Sequence, residues 1–113
     1  MSNYKKSSEN IFADMKLPSA EDYLAKTKLA HEIAIIIEKQ KFSQQKAASI
    51  IGTSQAKISN IVNGHLEKFT IDRLIQALIS LDRDITIGFK PKPKSRRRAT
   101  ITVTPSHRTT VTA

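Results

Sequence analysis

Residues 42–64 read FSQQKAASIIGTSQAKISNIVNG, a stretch that admits little except two short helices meeting at a tight corner. Ser43 is placed to cap the first helix, because its hydroxyl can accept from an unpaired amide of the opening turn. Gly52 ends that helix, since the left-handed conformation past a helix C-terminus suits glycine and strains most other residues. Thr53 is expected to cap the second helix, and Asn63-Gly64 to close it. Ala47, Ala48, Ile51, Ile58, Ile61 and Val62 then fall on the inward faces. Ala48 faces the corner, where a larger side chain would push the helices apart. By its mechanics this is a helix-turn-helix, a motif whose second helix enters the major groove of DNA.

The flanks supply the rest of a small domain. Ser19 and Asp22 resemble a capping box, and from there Leu29, Ile33, Ile36 and Ile37 keep one apolar face to about Gln40. After the motif, Thr70 is expected to cap a further helix with Asp72 in its first turn. Ile71, Leu74, Ile75, Leu78, Ile79 and Leu81 follow at helical spacing and complete the core. Ile85, Ile87 and Phe89 alternate with Thr86 and Gly88, a strand pattern. A lone strand leaves unpaired edges, and a second copy of the chain is its simplest neighbour.

The order Ser43-Gln44, Ala47-Ala48, Gly52-Thr53-Ser54-Gln55, Ile58 and Asn63-Gly64 resembles the XRE (Cro/repressor-like) family of DNA-binding domains. Lys46 departs from that pattern, which usually places an acidic residue there, so the first motif helix lacks a capping box. The flanks NIFADMKLPSAEDYLAK and FTIDRLIQALISLDRDITI are similar to those of HigA-type antitoxins within the family. The likeness spans roughly residues 10–89 and leaves out the C-terminal tail. It implies a mainly α domain of four to five helices, with a C-terminal strand pairing across a dimer, while the polar composition of the ends gives the expected flexible termini. It also implies a toxin partner of the RelE-like, ribosome-dependent mRNA nuclease class, and repression of the chain's own operon.

A chain of 113 residues supports one small domain. The expected division is an arm over 1–18, the helix-turn-helix domain with its dimerisation strand over 19–89, and a basic tail over 90–113. There is no cysteine, and His31, His65 and His107 are scattered, so no metal site is expected. No nucleophile with a base and no phosphate loop occurs, which points away from an enzyme or a cofactor. No apolar run approaches the roughly 20 residues of a membrane helix, and no signal peptide opens the chain, so a cytoplasmic location is expected.

Net charge is +9, and the tail carries most of it. Residues 90–113 hold Lys90, Lys92, Lys94, Arg96, Arg97, Arg98 and Arg108 without one acidic residue. A basic arm of this kind points to nucleic acid, against the plainer reading of a solvated tail. The KPKPK run reads as an extended polyproline linker. Residues 100–104, TITVT, alternate again, and both a second strand and an unpaired β-prone tail stay open.

Stepping about 100° per residue along the second motif helix from Ile58 separates its two faces. Ile61 and Val62 fall beside Ile58, while Ala56, Asn60 and Asn63 fall opposite. Gln55 and Asn60 are the leading base readers, because an amide side chain can bond adenine N6 and N7 together. Ala56 offers a methyl for thymine, and Ser59 flanks the same face. Gln44, Thr53, Ser54, Lys57 and Asn63 are expected to set the register on phosphates. The resemblance adds that Gln44 braces Gln55.

Three readings stand at this stage. The first is a homodimeric repressor of an inverted-repeat operator in double-stranded DNA, an antitoxin by resemblance. The second is a stand-alone phage or mobile-element regulator without a toxin. The third is a protein-interaction module with no operator. The roles of Ile11, Phe12 and Leu17 ahead of Pro18 are open between packing on the domain and meeting a partner.

Overall fold

The structure, a computed structural model, describes residues 19–105. Four helices run through them: α1 (Ser19–Gln40), α2 (Gln44–Ile51), α3 (Gln55–Val62) and α4 (Ile71–Ser80). The mainly helical expectation agrees with this order. The arm with Ile11, Phe12 and Leu17, the capping role of the Ser19 side chain, and the end of the tail with His107 and Arg108 lie outside the described residues.

Both α1 and α2 pack against α3 and α4. Each helix contributes one fully enclosed residue: Ile33 from α1, Ala47 from α2, Ile58 from α3 and Leu74 from α4, all at 0% exposure. Around them α1 lays down Ala25, Leu29, Ala30, Ile36 and Ile37, one stripe of a helical wheel. Leu66, from the loop after α3, joins the same cluster. Burial of each large aliphatic side chain is worth about 1.5–3 kcal/mol, so a domain this small depends on every one.

Two expected core residues are outside it. Ile79 is 49% exposed, because it lies about 140° around α4 from the buried Leu74. Val62, the last residue of α3, is 40% exposed and borders an open groove. Ile51 and Ile75 are half-buried.

The helix starts follow one rule. Ser43, Ser54 and Thr70 each accept from the amide three residues on, Lys46 at 3.0 Å, Lys57 at 3.2 Å and Arg73 at 3.1 Å. The expected cap Thr53 is therefore displaced by one residue. Its own amide donates to the Ala48 carbonyl at 2.9 Å, which makes Thr53 the last link of the α2 terminus. Ser54 then has the extended backbone of a cap, at φ −93° and ψ 157°.

The helix ends also follow one rule, which the sequence reading found only in part. Each closes with a bond from an amide to the carbonyl five residues back: Phe42 to Ile37, Thr53 to Ala48, His65 to Asn60 and Arg83 to Leu78. The residue before each of those amides is left-handed. Two are Gly52 and Gly64, but the others are Lys41 at φ 58° and Asp82 at φ 65°.

Beyond α4, residues 83–105 form neither helix nor strand ladder. The strand expected over 85–89 is not formed within the chain, because a ladder needs a second row of amides and carbonyls. Ile85 is half-buried on the core, while Ile87 is 57% and Phe89 94% exposed. The KPKPK run leads into a turn centred on Lys94 and Ser95, where the Pro93 carbonyl accepts from the Arg96 amide at 3.1 Å. Lys92 Nζ closes the bend on the Arg96 carbonyl at 2.6 Å, and Arg96 Nη1 donates to Thr100 Oγ1 at 2.9 Å. The chain then returns: Arg98 pairs with Glu21 at 3.2 Å, and Ile101 and Val103 pack against the core. The folded unit therefore reaches past Phe89.

Candidate nucleic-acid interface

The corner is built by backbone bonds before any side chain acts. Gly52 at φ 85° turns the chain out of α2, and Ser54 turns it into α3 only two residues later. The two helices are thus held at fixed phase, with Ala47, Ala48, Ile58 and Ile61 buried on the core side. Substituents on the opposite side of α3 have nowhere to go but water.

That outer side carries Gln55, Ala56, Lys57 and Asn60, all exposed. Ser59 is half-buried and accepts from Asn63 Nδ2 at 3.2 Å. This bond ties an expected base reader to an expected register residue, and it orients the Asn63 amide across the last turn of α3. Gln44 and Thr53 are half-buried, and Ser54 is exposed. Among the described residues no hydrogen bond links the Gln44 and Gln55 side chains.

Backbone donors add to the side chains. In the first turn of α3 the Lys57 amide is taken by Ser54, and the Thr53 amide by Ala48. Among the described residues the Gln55 and Ala56 amides have no acceptor. The same holds at α2, where Ser43 takes the Lys46 and Ala47 amides and leaves those of Gln44 and Gln45. Two helix N-termini therefore present open N–H pairs with the positive end of the dipole behind them. Residues 42–66 contain no Asp or Glu to offset that potential, and they add Lys46 and Lys57. The arrangement suits phosphate oxygens. The one-residue shift of the cap from Thr53 to Ser54 is what makes Gln55 and Ala56 the residues with open amides.

The other expected sites are dispersed. Lys90, Lys92, Lys94, Arg96 and Arg97 are exposed on the bend after Phe89, while Arg98 is engaged with Glu21. Beside the C-terminal end of α3, an apolar groove of about 150 Å³ lies between Tyr23, Ala30 and Ala34 of α1 and Ile61, Val62 and Leu66. Helical spacing alone gives no sign of this groove, because it turns Val62 inward. No helix among the described residues is long and apolar enough to cross a membrane.

Residues 11–90 match a family model described as a helix-turn-helix domain. A solved structure provisionally named an XRE family transcriptional regulator is similar at 37% identity and a TM-score of 0.72. The similarity covers 79% of this chain and 100% of that one. No curated protein matches.

Proposed function

This chain belongs to the XRE-type helix-turn-helix family, and on that premise we propose that it is a sequence-specific, homodimeric transcriptional repressor that serves as the antitoxin of a toxin–antitoxin operon. The observation that carries the DNA reading is the face of α3. Gln55, Ala56 and Asn60 stand exposed above a wholly buried Ile58, behind two unpaired amides. With α3 in the major groove, the Gln55 and Asn60 amides bond adenine edges, Ala56 meets a thymine methyl, and Ser59 borders the same base pairs. Gln44, Thr53, Ser54, Lys57 and Asn63, with the open amides of both helix starts, hold phosphates and set the register.

The dimer reading rests on Ile87 and Phe89, which stand in water on a segment whose alternation suits a strand. Pairing residues 85–89 with those of a second copy satisfies their backbone and shields both side chains. A two-fold dimer then requires an inverted repeat, with half-sites about one or two helical turns apart, roughly 34 Å per turn.

The antitoxin reading rests on the likeness of the flanks to HigA-type proteins. In that role the chain binds and silences a RelE-like mRNA nuclease. The reading without a toxin draws on the solved relative, whose name speaks of transcription alone. Co-expression with the product of the adjacent reading frame separates the two. A toxin partner yields a stable complex and rescued growth, whereas a regulator acting alone gives neither.

A further inference from the structure

We propose that the bend over residues 90–97 is a second, sequence-independent contact with the DNA backbone, made by Lys90, Lys94 and Arg97. The inference rests on the DNA-binding reading of α3 and extends it to a different surface. Its basis is the division of labour among six cations. Lys92 and Arg96 are spent inside the bend, on the Arg96 carbonyl and on Thr100 Oγ1. Arg98 is spent on Glu21. Lys90, Lys94 and Arg97 are exposed and make no hydrogen bond or ion pair with any described residue.

The bend is anchored at its returning end. Ile101 and Val103 pack against the core, Ile85 does so on the outgoing side, and the Arg98–Glu21 pair ties the base of the bend to the start of α1. Three like charges on one short anchored bend repel each other, so they do not serve the fold. They serve an anion. The sequence offers no carboxylate after Asp84, so nothing on this segment competes for them. Because the bend is held before binding, docking it sacrifices less conformational freedom than ordering a free tail. A polyphosphate backbone fits, since it presents regularly spaced charge and asks for no base contact. Each phosphate neutralised releases counterions, which gives the contact a measurable signature.

The test uses the full chain and two triple variants of it. One is Lys90→Gln, Lys94→Gln and Arg97→Gln; the other, Lys90→Arg, Lys94→Arg and Arg97→Lys, keeps the charge. Affinity is measured against salt on a duplex selected by the full chain from a random library, on a random duplex, and on single-stranded RNA. The neutral variant is expected to flatten the log–log salt slope on both duplexes by about 2–3 per subunit, at about 0.9 for each phosphate. The ratio of selected to random affinity stays the same, and the charge-retaining variant keeps the full slope. Equal duplex slopes for the full chain and the neutral variant overturn the proposal. A loss confined to RNA also overturns it and assigns the bend to RNA. If the full chain itself selects no duplex, the reading of α3 fails and this inference with it; a selected duplex with an unchanged slope removes the bend alone.

Discussion

Ser54 Oγ accepts from the backbone amide of Lys57 at 3.2 Å, and that bond sets where α3 begins. It takes the Lys57 amide out of play, leaves those of Gln55 and Ala56 open, and turns Asn60 outward over the buried Ile58. The start of the helix and its reading face are one decision. Ser54→Ala is expected to lower stability by about 0.5–2 kcal/mol in urea denaturation, whereas Thr53→Ala costs less because Thr53 caps nothing. Equal losses from the two substitutions would return the cap to Thr53.

Lys41 at φ 58° and Asp82 at φ 65° hold left-handed positions that their two counterparts fill with glycine. Lys41→Gly is expected to raise stability by about 0.5–1 kcal/mol, because it removes the strain of a Cβ in that conformation. Asp82→Gly is expected to gain less, since aspartate tolerates the left-handed region better than lysine. Thermal melts of the two variants beside the parent chain check the order.

How much of this was legible in advance depended on whether the signal was local. The caps Ser43 and Thr70, the glycine corner and the buried Ile33, Ile58 and Leu74 all follow from spacing and residue type. Lys41 is not legible, because lysine gives no sign of a left-handed backbone, and Asp82 gives a weak one, since aspartate tolerates that region without requiring it. Their helices end there under tertiary packing, with Phe42 drawn toward the core after α1 and Ile85 after α4. Val62 is exposed where the helical wheel puts it inside, because it closes α3 beside the groove that Tyr23, Ala30 and Ala34 of α1 leave unfilled. The path of residues 100–104 stays open in the sequence, because nothing local reports that Ile101 and Val103 pack against the core or that Arg98 meets Glu21 across the chain. For the candidate site, residue types and the outward face could be read, but the open amides depended on the one-residue shift of the cap.

Leu74 is wholly enclosed at the meeting of α4 with the other helices. Leu74→Ala is expected to cost about 2–5 kcal/mol, a large share of what a domain of this size has. Ile79→Ala, on the exposed side of the same helix, is expected to change stability by about 0.5 kcal/mol or less. Parallel denaturation curves compare the two, and a similar loss at both positions would mean that Ile79 is covered in solution.

Ile87 and Phe89 are the apolar residues that the single chain leaves in water on the segment after α4. Ile87→Lys is expected to shift the mass measured by light scattering from dimer toward monomer. An unchanged dimer in that variant places the interface elsewhere, with the exposed Ile79 face of α4 the next candidate.

Whether α3 reads bases is decided by selecting binding sites from random duplex with the full chain and with Asn60→Ala and Lys57→Ala. The full chain is expected to select a dyad-symmetric site. Asn60→Ala then relaxes the preference at one base pair per half-site and weakens binding by about 1–3 kcal/mol. Lys57→Ala weakens all sequences alike and leaves the selected site unchanged. A site without dyad symmetry would remove the two-fold dimer, and an Asn60→Ala variant that selects the same bases with the same strength would remove base reading from α3.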